Sequence, residues 1–392
     1  MLFLKREPKK LSLIINVDSF FIEGAIYNRE EQNFLKAAEI LGTADLTQGD
    51  INLNFSKNLE NKLKRSFRQI IEKTNSLKKR IDYCFIVFSS PWLISRTHFV
   101  KIKRDKPFLA SKEEFDKILK DETAPFAKEI KSRFSAEYLK FIETDVMKFF
   151  LNGYETVSPF GGSAKSLDLC LYLSAIKNSL FEFISELTKI SLGLTPEFLL
   201  IKSRSAVFFQ VLKDFLAFDK GAIFVDIGRD MTDILLIKNN YIEETVTLSR
   251  GYNIFVRRLM NALNLSHNEA ESLFERHQKN LLEQSFQQKI SDVLKEARKE
   301  MLDYFHKALK ELSADHFLPQ NLFLFSTKPV SKEFFFGDFK DLKEDFSIQE
   351  VSLKPLANYL KAPEEILKTY NPFLLVEIAF FKKIMSERSE QM

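Results

Sequence analysis

The sequence predicts a mixed α/β protein built on an internal duplication. An apolar strand that ends in aspartate, a turn, a second strand, a second turn and a third strand occur twice, about two hundred residues apart. Strand and helix patterns alternate elsewhere in the chain, as in sheets covered by helices on both faces. The length of 392 residues is sufficient for two or three domains with their own cores.

The composition excludes several classes of function. Apolar residues make up 45% and charged residues 29% of the chain, a balance typical of a folded, soluble protein. The net charge of +4 is small and its acids and bases are interleaved, which does not indicate nucleic-acid binding. No apolar run reaches the roughly 18 residues of a spanning helix, and the four residues from Met1 are too few for a signal peptide. We therefore expect a cytoplasmic protein.

The cysteines and histidines show no pattern of a metal site. Cys84 and Cys170 lie inside apolar, strand-like runs, as expected of buried thiols in a reducing compartment. The five histidines lack the spacing and the cysteine neighbours that zinc sites need.

The elements of the first unit lead into an insert. Strands are predicted at Leu11 to Val17, followed by Asp18, at Phe20 to Tyr27 and at Phe34 to Ile40. A helix with a solvated basic face follows between Lys57 and Arg80. A further strand at Cys84 to Ser90 precedes a small α+β insert that runs from about Ser89 to Ser158 and is closed by breaker residues at Pro159 to Gly162.

The second half repeats the pattern. Strand and helix alternate from Leu167 to Leu216, and the second unit begins with Ile223 to Val225 and Asp226. Apolar residues on one stripe from Ile290 to Leu312 predict a core helix. The last helix, Pro372 to Met385, is apolar nearly all round, which favours burial against a sheet.

The hairpin from Phe224 to Ile237 is the most informative segment. A carboxylate at the end of an apolar strand, followed by a Gly turn, can hold a nucleotide phosphate and its Mg²⁺. An ordinary hairpin produces the same pattern, because Asp and Gly are common turn residues. The residues alone leave both interpretations open.

The order of these features resembles the actin-like ATPase superfamily, in particular the type formed by the bacterial cell-division protein FtsA and the type IV pilus protein PilM. Asp18 and Asp226 at the heads of duplicated units, the insert between them and the helices after the second unit carry the resemblance. It implies an actin-like (ribonuclease H-like) fold of two duplicated domains across a cleft, with an SHS2-like insert. Domain 1 would comprise residues 1–88, 159–220 and 326–392, the insert 89–158, and domain 2 221–325.

The resemblance also implies a site for ATP and Mg²⁺ in that cleft, with Asp18 and Asp226 as the Mg²⁺-binding residues. The implied nucleotide-binding residues are Asp18, Ser19, Asp226, Gly228, Arg229, Thr232, Gly251, Glu271, Ser326 and Thr327.

Four departures from the family pattern predict weak or lost ATP binding. Phe20 lies where the first loop has Gly, and Arg229, Asp230 and Met231 replace Gly-Gly-Thr in the second. Asp230 would add a negative charge near a polyphosphate, which only Arg229 or Mg²⁺ could offset. Phe274 replaces a Lys, and the segment from Ser326 to Pro329 replaces a double Gly. A bulky residue at a phosphate loop costs about 1–3 kcal/mol or loses the contact.

Two functions from different classes follow. The first is a cytoplasmic scaffold of FtsA/PilM type that links pilus-assembly or division machinery. It would dock a peptide of an inner-membrane protein and so lie peripheral to the inner face of the membrane through its partners. The scaffold could also self-associate. The alternative is an active Mg-ATP-binding ATPase or phosphotransferase of the same fold. A kinase needs a general base and intact phosphate loops, and the sequence offers no candidate base, so hydrolysis, if present, would be slow. A generic helical interaction protein is a third, weaker alternative.

Overall fold

The computed structural model describes residues 11–19, 21–31, 33–41, 57–133, 139–216, 218–326, 328, 330, 332–336, 346–362, 365 and 370–390. Within these ranges the chain forms two five-stranded sheets and one four-stranded sheet. The strands are β1 (Leu11–Val17), β2 (Phe21–Asn28), β3 (Asn33–Leu41), β4 (Tyr83–Phe88), β5 (Leu93–Leu109), β6 (Leu139–Leu151), β7 (Tyr154–Thr156), β8 (Ser163–Lys177), β9 (Leu199–Ser203), β10 (Ala222–Ile227), β11 (Thr232–Lys238), β12 (Tyr241–Leu248), β13 (Asn321–Ser326) and β14 (Ser347–Glu350).

Helices cover these sheets and connect their strands. The α-helices of the described residues are α1 (Lys57–Ser76), α2 (Lys112–Arg133), α3 (Asn178–Leu192), α4 (Arg204–Leu212), α5 (Asn253–Leu263), α6 (His267–Gln278), α7 (Gln284–Asp315), α8 (Lys332–Phe336), α9 (Lys354–Leu360) and α10 (Pro372–Glu390). None of them is long and apolar enough to cross a membrane.

The predicted duplication is confirmed by the strand order. The first sheet has the order β3-β2-β1-β4-β9 and the second has β12-β11-β10-β13-β14. In both, an antiparallel meander is extended by two parallel strands, because β1 pairs with β2 and β4 as β10 pairs with β11 and β13. Asp18 directly follows β1 and Asp226 lies near the end of β10, so the two aspartates occupy corresponding edges of the two sheets.

The third sheet, β5-β8-β6-β7, forms the insert. The prediction ended the insert at Ser158 and assigned residues 159–220 to domain 1. However, β8 pairs along its length with both β5 and β6, so the insert sheet extends to Lys177. Similarly β14, within the predicted 326–392 part of domain 1, pairs with β13 of the second sheet. The division into domains stays a prediction, with these two boundaries moved.

Aromatic side chains fill the core between the first sheet and α10. Phe380 and Phe381 stack on Phe85 of β4, both with ring centroids 5.6 Å apart, and Phe373 is fully buried. The predicted burial of this helix is therefore confirmed. The apolar stripe of α7 is also buried, against α5 and the second sheet. Cys84 and Cys170 are free, buried thiols, and burial raises the pKa of both to about 12.

A buried polar joint fastens the insert to the first sheet. Glu143 of β6 is buried and accepts hydrogen bonds from the Ser174 hydroxyl and from the backbone N–H of Ser203, the latter at 3.0 Å. The Tyr172 hydroxyl lies 3.0 Å from Ser203 Oγ, which also accepts from the N–H of Ala206 and so caps α4. The insert is thus linked directly to Ser203, the N-cap residue of α4.

Removing this carboxylate is expected to destabilise the fold. Glu143→Ala leaves the Ser203 N–H and the Ser174 hydroxyl without their acceptor, which should lower the free energy of unfolding by about 1–3 kcal/mol in urea denaturation. Glu122→Ala is the matched control, because Glu122 forms an exposed ion pair with His98 and should change stability by less than about 1 kcal/mol. Equal effects of the two substitutions would contradict a structural role for the joint.

Candidate functional site

The turns that follow β1 and β10 are in direct contact. Ser19 Oγ accepts a hydrogen bond from the backbone N–H of Asp230 at 3.2 Å, and Ser90 Oγ donates to Asp233 Oδ1 at 2.8 Å. Between them lies a cavity of about 10 Å³, the space of about one water molecule. We call it the central cavity; it is lined by Asp18, Ser19, Ser89, Ser90, Arg204, Asp226, Gly228, Met231 and Asp233.

Arg204, the first residue of α4, places a cation between the two predicted Mg²⁺-binding residues. Its side chain is 2% exposed. Nη1 donates to Asp18 Oδ2 at 2.8 Å and lies 3.9 Å from Asp226 Oδ2. Nη2 donates to Asn16 Oδ1 at 2.9 Å, and the guanidinium carbon lies 4.0 Å from the centre of the Phe373 ring. The guanidinium is therefore held from both sheets and from α10.

Three acids near Arg204, namely Asp226, Asp233 and Glu377, are buried, and burial raises the pKa of each. Burial raises the pKa of Asp226 and that of Glu377 well above their ordinary values, and Arg204 opposes both shifts. Burial also raises the pKa of Asp233, against the hydrogen bonds that Thr247 and Ser90 donate to it. Although burial opposes its charge, Arg204 has a raised pKa because Asp18 and Asp226 favour the cation. The cluster thus combines a buried cation with three carboxyl groups whose pKa is raised by burial.

The turn after β10 directs the backbone carbonyls of Gly228 and Arg229 towards the start of α5. The N–H groups of Tyr252 and Asn253 donate to the carbonyls of Gly228 and Arg229 at 2.9 and 2.7 Å. A Cβ on Gly251 would lie 2.5 Å from Gly228 O, so the close approach requires glycine there. A helix N-terminus can bind phosphate through such N–H groups. Here these two are already satisfied by the loop.

Arg229 and Asp230 bind partners on α6 and α5. Arg229 is buried and forms an ion pair with Glu271. Asp230 forms an ion pair with Arg257 and accepts from Asn253 Nδ2 at 3.1 Å. The expectation that only Arg229 or Mg²⁺ could offset the charge of Asp230 is therefore wrong, because α5 supplies a different arginine.

Phe274 occupies a fully buried position in an aromatic cluster. Its ring centroid lies 5.2 Å from each of those of Tyr252, Phe255 and Phe334. The position at which the resemblance implied a lysine is thus part of the core of the second sheet's helices.

The structure brings only part of the predicted site together. Asp18, Ser19, Asp226 and Gly228 line the central cavity. The other described residues make separate contacts, and Thr327 and Phe20 lie outside the described residues. Arg229 binds Glu271, Thr232 Oγ1 donates to the Arg250 carbonyl at 2.8 Å, Gly251 packs on Gly228, and Ser326 Oγ donates to the Ile227 carbonyl at 3.2 Å.

Arg204 was missed by the sequence reasoning. It is 186 residues from Asp18 in the chain, so no local pattern connects the two residues. The available signal was Ser203, a common N-cap residue, which marks the start of α4 but not the direction of the Arg204 side chain.

These contacts do not fit Mg-ATP between the two turns. A Mg²⁺ ion needs oxygen ligands in near-octahedral geometry and usually retains several waters. The guanidinium occupies the space between Asp18 and Asp226, the two residues predicted to hold that ion, and the central cavity has room for about one water. Among the described residues, no group of three or more His, Cys, Asp or Glu side chains is placed to hold a metal.

Two sheets of equivalent strand order, with their aspartates facing each other, define an actin-like fold. No protein-family model and no curated protein matches the chain. Among solved structures, it is similar to the PilM-PilN type IV pilus biogenesis complex, with 14% identity and a TM-score of 0.60 over 95% of this chain and 98% of that chain. At this identity the similarity establishes the fold.

Two further structures are similar at lower TM-scores. The ethanolamine utilization protein EutJ of Carboxydothermus hydrogenoformans has 13% identity and a TM-score of 0.46, covering 95% of this chain and 90% of that chain. MreB 5 of Spiroplasma citri bound to AMPPNP has 10% identity and a TM-score of 0.45, covering 98% and 99%.

The carboxyl group of Asp226 should make stability depend on pH. Its pKa in the folded protein lies above the ordinary 3.8, so at intermediate pH the folded state binds more protons than the unfolded state. Stability therefore falls as the pH rises from about 4 through the folded-state pKa. We expect Asp226→Asn to flatten this fall, because the amide cannot ionise and so removes the difference in proton binding at this position.

Urea denaturation from pH 4 to pH 8 measures this fall and its flattening. Asp105→Asn, at an exposed position of β5, is the control and should follow the wild-type profile. A wild-type profile in the Asp226→Asn variant would show that Asp226 ionises as freely in the folded protein as in the unfolded chain.

Proposed function

We propose that this protein is an actin-like scaffold of FtsA/PilM type that links cell-envelope machinery and binds ATP weakly or not at all. The observation that carries the proposal is Arg204, whose guanidinium lies between Asp18 and Asp226. A protein-borne cation at this place neutralises the aspartates without a ligand. The two duplicated sheets are then joined independently of nucleotide.

Two further contacts across the central cavity support a fixed arrangement of the sheets. Ser19 binds the backbone of Asp230, and Ser90 binds Asp233. A scaffold has to present its surfaces in a constant relation, and these direct contacts serve that requirement. The loop carbonyls at the N-terminus of α5 also reduce the groups available to a phosphate.

For the partner, we propose a cytoplasmic peptide of an inner-membrane protein, which would keep the scaffold peripheral to the membrane. Similarity of nearly the whole chain to the PilM-PilN complex supports a role in pilus assembly more than one in cell division. An SHS2-like role of the insert in this docking, and self-association of the scaffold, are parts of the same proposal.

Calorimetry with Mg-ATP tests the nucleotide part of the proposal. We expect no binding tighter than about 0.1 mM, or about −5.5 kcal/mol, because the cation and the turn contacts fill the site. The Asp226→Ala variant should give the same result as the wild type. Submicromolar binding that is lost in the variant would instead support the alternative, an active Mg-ATP-binding ATPase or phosphotransferase.

Affinity capture from native membranes tests the scaffold role separately. The full chain is expected to recover inner-membrane pilus components, and purified binding should then be reproduced with the cytoplasmic peptide of the recovered protein. Recovery of division-ring components would assign the division role. Absence of both sets would contradict the envelope scaffold, whatever the outcome with ATP.

A further inference from the structure

The far end of the insert sheet is exposed to solvent. Leu93 at the start of β5 and Ile176 near the end of β8 lie in the core of the first sheet. The strands run from this base to the opposite end, where β5 leads into α2 and where β6, β7 and β8 are connected to one another. We call the strand ends and connections there, residues 101–111 and 148–166, the insert tip.

The insert tip exposes four large apolar side chains. Val157 is 98% exposed, Tyr154 79%, Leu109 59% and Phe160 47%. Single exposed apolar residues are normal on a protein surface, but a group of them at one end is typical of an interaction site. Phe160 is held by an edge-to-face contact with Phe115 of α2, at 5.7 Å between ring centroids. At least this part of the apolar group is fixed in position.

The insert tip has a net positive charge equal to that of the whole chain. It has six Lys and Arg residues and two Asp and Glu residues, a net charge of +4. The full chain has the same net charge, so the remaining residues are neutral in sum. Helix α2, which covers one face of the insert sheet, contains equal numbers of bases and acids.

Several of these cations face solvent. Lys148 forms an ion pair with Glu155, whereas Lys103, Lys106 and Lys165 are exposed and form no ion pair with another described residue. Lysines on an edge strand such as β5 also prevent edge-to-edge aggregation. That role accounts for lysines alone. It does not account for exposed Tyr, Val, Leu and Phe residues beside them, which would favour aggregation.

We propose that the insert tip binds the surface of an anionic lipid bilayer. Cations attract anionic headgroups, while a Tyr and neighbouring apolar side chains enter the boundary between headgroups and acyl chains. The combination of both groups at one exposed end of the insert sheet matches this surface in charge and in polarity. Such binding goes beyond the proposed docking of a partner peptide, because it brings the scaffold to the membrane without a partner.

Co-sedimentation of the full chain with vesicles tests the proposal. Vesicles of phosphatidylcholine alone are compared with vesicles that also contain phosphatidylglycerol. The wild type should bind the anionic vesicles, and about 0.5 M salt should release it because screening removes the attraction. Tyr154→Ser/Val157→Ser and Lys103→Glu/Lys106→Glu should each weaken binding by about tenfold or more.

Matched variants elsewhere on the surface are the controls. Ile190→Ser removes an apolar side chain that is 74% exposed, and Lys289→Glu/Lys299→Glu reverses two exposed charges of α7. Both should bind as the wild type does, and all variants should keep the wild-type melting temperature. Absence of wild-type binding to anionic vesicles, equal loss in the control variants, or binding only to an acidic protein would overturn the proposal.

Discussion

The contact of Arg204 with Asp18 and Asp226 is the interaction on which the rest of the structure depends. Separating two buried carboxyl groups from water is unfavourable, and a buried cation compensates for it only when its geometry is good. Here the guanidinium satisfies that condition with one short hydrogen bond to Asp18, one to Asn16 and a stacked aromatic ring. Removing the arginine would leave its acids buried and uncompensated, so the pair has to be kept or lost as a unit.

Several distant elements keep the guanidinium in place. Ser203 caps α4 and is itself bound by Glu143 of the insert, while Phe373 brings α10 onto the guanidinium. The joint between insert and first sheet is therefore adjacent in sequence to the arginine that joins the two sheets.

In the turn after β10 and the start of α5, groups of a kind that can bind phosphate are used for contacts within the protein. Two N–H groups at the start of α5 are used by loop carbonyls, and the acid at position 230 is neutralised by Arg257 of the same helix. Phe274 likewise adds to an aromatic core. Arg229, Asp230 and Phe274 thus each make contacts within the protein.

The sequence alone determined the repeated three-strand pattern, the aspartate that follows or ends the first strand of each repeat, and the burial of the last helix. These follow from local apolar periodicity and from turn residues, which are readable within a few neighbouring positions. Only the tertiary structure decided that Arg204 meets Asp18, that Arg257 rather than Arg229 binds Asp230, and that β8 belongs to the insert. Those outcomes depend on side-chain directions and strand pairings between segments far apart in the chain, and local periodicity carries no information about them.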